Sequence, residues 1–354
     1  MKDRLVGVIS VSRPELAETN AIGFGAPDRT AKPHLTFSVE RSRRASPFGA
    51  GLGALRVAMA MSFPGRRELA DLISRVPYSL RQQILGTAYA LTPNRIAGLL
   101  PVALVTVRDL PRIGQALVPD RVRAFGPRGV CGLAGQLGVA ELVEGYARGM
   151  YVFSHNGWLK WWSPPQRMIL FFHEARIEKT TRRLLRSGRF RITFDEAFEA
   201  VVQGCAAPRA GATPLTWITP RLRKLFLEAH QAGHAHSVEV WAGDELVGGI
   251  FGIACGRVFF TESQFHTARD ASKVGFAVLN RHLQAWGFVL NDGKDATGYL
   301  AACGFAEIPR AQFNTFMDQY AREPVRADWR ADPALLDDQW QPSRSPVDGA
   351  LATT

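Results

Sequence analysis

Residues 236–265 read HSVEVWAGDELVGGIFGIACGRVFFTESQF, and this stretch decides the fold. Two apolar runs, 236–242 and 245–254, meet at Gly243-Asp244, a dipeptide suited to the positive φ of a tight hairpin. A third run, 257–265, follows a turn at Cys255-Gly256. Upstream, Thr219-Pro220 supplies an N-cap and a first-turn proline for RLRKLFLEAHQA, which stops at Gly233. Downstream, an amphipathic helix runs from Ala271 to Trp286. A short strand (FVLND, 288–292) and a short helix (Ala296–Cys303, ending at Gly304) follow. This order predicts an α/β or α+β domain around a mostly antiparallel sheet.

Working outward, residues 137–148 (LGVAELVEGYAR) and 194–205 (FDEAFEAVVQGC) place apolar side chains at helical spacing. Residues 67–92 also read as helical, with a break at Pro77. The chain divides into a basic N-terminal extension (1–126), a stretch holding a basic helix (127–215), the hairpin-bearing domain (216–325) and an extended tail (326–354). The first of these carries eighteen basic and nine acidic residues, so most of the net charge of +11 sits there. Its early part (11–51) is rich in Gly, Pro and Ser without a sustained period, the mark of an irregular or partly disordered arm.

With 46% hydrophobic and 21% charged residues, the composition excludes a fibrous or wholly disordered chain. A pI near 9.9 favours a polyanionic partner. Cys131, Cys205, Cys255 and Cys303 lie far apart, which argues against a disulfide scaffold or thiolate zinc site. The longest apolar run, GLLPVALVTV (98–107), is half of the ~20 residues that a bilayer requires. The start, Met1-Lys2-Asp3-Arg4, has no secretory apolar core, so a cytoplasmic protein without a membrane span is expected. No nucleophile elbow, P-loop or dinucleotide fingerprint is present.

The densest basic run is KTTRRLLRSGRFR, in which Lys179, Arg182, Arg183, Arg186, Arg189 and Arg191 have no acidic companion. Such density suits phosphates, although a solvated helix face is the plainer alternative. Trp158, Trp161 and Trp162 form an aromatic-dense turn that either stacks on a base or plugs a junction. His234 and His236 lack an evident third ligand, so no metal site is expected and a packed helix–strand junction is favoured. Glu262 and Asp292 stand on or at the end of apolar strands, where desolvation makes carboxylates good partners for an ammonium group. A capping Asp and a surface Glu are the commoner fates. Ser272-Lys273-Val274-Gly275-Phe276-Ala277 opens a helix after the third strand. It is close to the pyrophosphate loop of GNAT acetyltransferases, with Ser in the first position.

WWSPPQR (161–167), TWIT (216–219), GHAHSVEVW (233–241), DELVGGIFGIA (244–254), FFTESQF (259–265), ASK (271–273) and AEIPR (306–310) together resemble the leucyl/phenylalanyl-tRNA–protein transferases. The resemblance covers about 127–325 and implies a GNAT-like α+β domain with aminoacyl-tRNA as co-substrate and no cofactor. It implies transfer of Leu or Phe to the N-terminal Arg or Lys of an acceptor protein, marking that protein for degradation, by a monomeric enzyme. It gives the basic run a partner, the tRNA acceptor stem. It matches Glu262 with a strand glutamate near the acceptor and Asp292 with the aspartate at the reacting centre, fifteen residues before Glu307. Trp217, Phe259 and Ile250 fall among the substrate-binding positions.

The chain also departs from the family. Asp-x-Gln becomes Asp292-Gly293-Lys294, so a positive charge, Lys294, joins Asp292 and Glu262 as the third expected catalytic position, where it either pairs with Asp292 or repels an incoming ammonium. Phe153 replaces a tryptophan, Gln264 a pocket methionine and Leu279 an aromatic. Two other readings stay open: a catalytically silent tRNA- or RNA-binding relative, and an acyl-CoA N-acyltransferase.

Overall fold

A computed structural model describes residues 77–336 apart from 94, 156 and 209–214. The irregular arm, the part of the 67–92 helix before 77 and the tail beyond 336 lie outside the described residues. Pro77 does set a boundary. Helix α1 (Tyr78–Ala90) starts directly after it, because proline fits ahead of a helix and not inside one. The apolar run becomes α2 (Leu99–Asp109), a short helix with Val105 buried. Among the described residues, no helix is long and apolar enough to cross a membrane.

A small antiparallel sheet comes next in the chain. Strand β1 (Val130–Leu133) precedes helix α3 (Val139–Ala147), and β2 (Tyr151–Phe153) and β3 (Lys160–Trp162) complete the sheet in the order β1-β3-β2. Helix α3 packs closely on it. An added Cβ on Gly145 would come within 2.2 Å of the fully buried Trp161 ring.

The main sheet has seven strands. Strand β4 (Gln166–Phe171), helix α4 (Lys179–Arg186), β5 (Arg191–Phe194), α5 (Phe198–Ala206) and α6 (Pro220–Gln231) lead into the expected hairpin. That hairpin is β6 (Ala235–Ala242) and β7 (Glu245–Cys255), turning at Gly243 with φ +60°; β8 (Val258–His266) follows. Helix α7 (Ala271–Ala285) crosses to β9 (Leu290–Asp292). Helix α8 (Gly298–Ala302), β10 (Ala306–Pro309), α9 (Arg310–Tyr320) and α10 (Pro333–Leu336) complete the described chain. The strand order is β10-β4-β9-β8-β7-β6-β5, and only the β8–β9 pair is parallel. This is a mixed α+β architecture, compatible with a GNAT-like domain. Because β4 and β5 belong to the same sheet as the later strands, the division expected at 215/216 is not a structural boundary.

Two cores sandwich the sheet. One face carries Phe251, Ile253 and Phe260 against α3, α5, α6, α9 and the small sheet. The other carries Ile250, Phe259 and Leu170 against α7 and α4. Burial of both faces explains the consecutive apolar pairs Ile250-Phe251 and Phe259-Phe260, which a one-sided strand would not show. Over 327–332 the tail forms neither helix nor strand; Trp329 sits there at φ +49° and stacks on His236 with ring centroids 3.6 Å apart.

Candidate active site

Asp292 ends β9 on the face of the first core. Arg167, two residues from its cross-strand partner Ile169 on β4, reaches the same spot. Nε of Arg167 donates to Oδ1 of Asp292 over 3.3 Å, and Nη2 donates to Oδ2. The guanidinium also donates to the Gly149 carbonyl (3.0 Å) and lies over the rings of Phe313 and Tyr151. Both side chains are fully buried. Burial opposes the arginine's charge, but Asp292 outweighs it and holds the Arg167 pKa above its usual value. The carboxylate read from the sequence as the holder of an incoming ammonium is thus already engaged by an internal cation. In the sequence Arg167 is one residue of WWSPPQR with nothing local to mark its partner 125 residues away.

Lys294 does not pair with Asp292 through its ammonium. Its backbone sits in the left-handed region (φ +66°), with N–H donating to Asp292 Oδ1 (2.7 Å) and C=O accepting from Met168 N–H (3.1 Å). That geometry, uncommon outside glycine, turns the side chain back toward β8. There Nζ meets Glu262 Oε1 at 2.5 Å and the Thr261 carbonyl at 3.2 Å. Tyr146 donates its hydroxyl to the same Oε1 (2.7 Å), while Oε2 of Glu262 is buried without a partner among the described residues. Rings of Tyr151, Tyr146 and Trp217 surround Nζ at 5.4, 5.9 and 6.0 Å.

Glu262 reaches this place through a β-bulge. Ser263 pairs with Phe251 and Thr261 with Gly252, so Glu262 is the extra residue, and its side chain meets Tyr146 of α3. Bulges commonly re-aim a side chain beside a site. Burial lowers the Lys294 pKa and Glu262 works against that shift; burial, reinforced by Glu262, pushes the Tyr146 phenol well up.

The six expected substrate-binding residues divide between the faces. Phe153 and Trp217 lie together, ring centroids 5.7 Å apart, with His155 packed edge-on against Phe153. Ile250, Phe259 and Leu279 are buried in the second core on the opposite face, and Gln264 pairs with Ile250 across β7 and β8. The structure therefore does not gather all six into one pocket. Of the tryptophans in the aromatic turn, Trp161 is core, Trp162 donates to the Phe153 carbonyl (2.8 Å), and Trp158 is exposed.

The basic run forms α4 and continues into β5, with Leu184 and Leu185 against the second core. Lys179, Arg183, Arg186, Arg189 and Arg191 are exposed, and Arg182 is half-buried. Arg191 finds an acid after all, Glu196 at 3.5 Å, five residues on and beyond helical reach. This helix packs on the face opposite the Arg167–Asp292 pair. At the start of α7, Lys273 is paired with Glu178 (2.9 Å) and Asp270 (3.4 Å). An anionic pyrophosphate there would face two carboxylates.

His236 belongs to a trio that the sequence did not reveal, with Asp195 and His230, while His234 takes no part. Nδ1 of His236 faces Asp195 Oδ2 (2.7 Å), its Nε2 faces the Gly233 carbonyl (3.2 Å), and Nδ1 of His230 faces the Ala235 carbonyl (2.8 Å). These contacts tie helix α6 to the sheet and engage the nitrogens that a metal would need.

Residues 169–318 match the family model described as leucyl/phenylalanyl-tRNA protein transferase. A leucyl/phenylalanyl-tRNA–protein transferase of Pseudomonas syringae pv. syringae (strain B728a) is 44% identical over 206 residues, 58% of this chain and 90% of that protein. One from Ectopseudomonas mendocina (strain ymp) is 45% identical over 206 residues, 58% of this chain and 91% of that protein. On these matches, the chain belongs to the leucyl/phenylalanyl-tRNA–protein transferase family.

Proposed function

We infer that this chain transfers an aminoacyl group from aminoacyl-tRNA to the N-terminal amine of an acceptor protein. Beyond family membership, the observation that carries the reading is Glu262 Oε2, a buried carboxylate oxygen lacking an N–H donor, beside the ammonium that Trp217 helps to enclose. A buried acceptor of this kind calls for a donor, and the incoming amine is one. The ester of aminoacyl-tRNA is already activated, so the reaction needs alignment and proton removal and calls for no resident cofactor. The amine nitrogen bonds to the ester carbonyl carbon, and the bond from that carbon to the tRNA ribose oxygen breaks. The proton lost by the amine ends on the leaving ribose oxygen.

Glu262 orients the amine in this scheme. Arg167 and Asp292 fix the Gly293-Lys294 backbone, and Asp292 therefore works as a positioning residue. Phe153 and Trp217 offer aromatic faces to the terminal adenine, and the exposed cations of α4 and Arg189 offer phosphate contacts. A monomeric enzyme in the cytoplasm, where charged tRNA is made, fits the scheme, with the modified acceptor passing to degradation. Whether that acceptor begins with Arg or Lys depends on what occupies the Glu262 site.

The test is transfer of radiolabelled Leu or Phe from charged tRNA to peptides that vary in their first residue. Absence of transfer to every peptide, with tRNA still bound, would leave the silent tRNA-binding reading, which the Lys294–Glu262 pair favours. The acyl-CoA reading is disfavoured by Asp270 and Glu178 at the start of α7.

A further inference from the structure

We propose that Lys294 is a built-in occupant of the seat for an acceptor's side-chain cation, so that this enzyme selects acceptor proteins whose first side chain carries no positive charge. The proposal rests on the aminoacyl-transfer reading above.

The surroundings of Lys294 Nζ are those of a cation receptor. Glu262 supplies the carboxylate at 2.5 Å, the Thr261 carbonyl a second acceptor, and Tyr146, Tyr151 and Trp217 three ring faces within 6.0 Å. Rings and a carboxylate in this arrangement recognise ammonium or guanidinium groups. Lys294 cannot readily withdraw to admit another. Its N–H is held by Asp292 and its C=O by Met168, and its side chain is only 11% exposed.

An N-terminal Arg or Lys brings two cations, the α-ammonium and the side chain. Of the two carboxylates here, Asp292 is engaged by Arg167, and Glu262 Oε1 is shared by Lys294 and Tyr146. Only Glu262 Oε2 is left to receive a donor. One nitrogen, the α-amine, can use it. A cationic side chain would then meet the Lys294 ammonium with no carboxylate of its own, and like charges so placed discriminate strongly. Uncharged and acidic first side chains escape that penalty.

The experiment measures transfer from charged tRNA by the full chain to five peptides that differ only in their first residue (Arg, Lys, Gln, Ala or Glu). Wild type should prefer Gln, Ala and Glu over Arg and Lys by about tenfold or more in kcat/KM, and Lys294→Gln should reverse that order. Preference of the wild type for Arg or Lys overturns the proposal, whether or not the variant folds. So does a Lys294→Gln enzyme that changes all five peptides alike. Calorimetric titration with arginine amide and glutamine amide requires no turnover. Lys294→Gln should gain about tenfold for arginine amide, and Glu262→Gln/Lys294→Gln should lose that gain. If no peptide is modified at all, the transfer reading fails and this titration alone decides the seat. Equal arginine-amide affinity in wild type and Lys294→Gln then overturns it.

Discussion

Arg167 on β4 closes on Asp292 at the end of β9 with neither side chain reaching solvent, although 125 residues separate them in sequence. Two opposite charges out of water stabilise little beyond what an apolar pair would. Deleting one of them leaves the other uncompensated. Asp292→Ala should therefore cost about 3–5 kcal/mol in urea unfolding, and Arg167→Met a similar amount. Arg167→Met/Asp292→Leu should cost much less than the sum. Additive losses in this cycle would mean that the two charges do not depend on each other.

Asp292→Asn tests positioning separately from charge. The amide retains an oxygen for the Lys294 N–H but no longer neutralises Arg167. If Asp292 acts by fixing the Gly293-Lys294 backbone, Asp292→Asn should keep kcat within about threefold while Asp292→Ala, which loses that hydrogen bond, lowers it by about tenfold or more, the KM for charged tRNA staying within about twofold in both. A rise in that KM with kcat unchanged would instead place the carboxylate at the RNA.

How much of this was readable in advance follows from distance along the chain. Strands β6 to β8 and helices α6 and α7 announce themselves, because periodicity, Gly243-Asp244 and Thr219-Pro220 are all local signals. Strands β2 and β3 have three residues each, too few to establish a period. Strand β4 hides behind Pro164-Pro165. The site is less legible than the fold. Glu262 within β8 and Lys294 just past β9 are visible as charged residues beside apolar runs, but Tyr146 and Arg167 have no neighbouring residue that betrays their partners. The bulge that aims Glu262 depends on register with β7, which alternation within VFFTESQF does not reveal.

The cations of the α4 region make a salt-dependence prediction. Replacing Lys179, Arg183, Arg186 and Arg189 by Gln removes four charges from exposed positions, so stability should change little. Each phosphate contact contributes about 0.7–0.9 to the slope of log affinity against log salt. The quadruple variant should bind tRNA with a slope reduced by about 3, measured by filter binding across a salt series. An unchanged slope would remove this surface from the RNA interface.

His155 gives the fold a specific acid sensitivity. Its ring packs edge-on against Tyr89 (4.5 Å) and Phe153 (4.8 Å), and burial, helped by Arg95, lowers its pKa from 6.5 to about 4. The folded state thus holds the imidazole neutral where the unfolded chain would take up a proton. As pH falls through 6.5 the unfolded state binds that proton first, so stability declines until about pH 4, below which both states are protonated and the decline stops. With partial exposure discounted, the loss should be about 2 kcal/mol. His155→Phe keeps an aromatic ring and removes the titration. Comparing urea unfolding at pH 7.0 and 4.5 therefore cancels every other group, and the wild type should lose about 2 kcal/mol more than the variant. Parallel losses would show that the imidazole titrates alike in the folded and unfolded states.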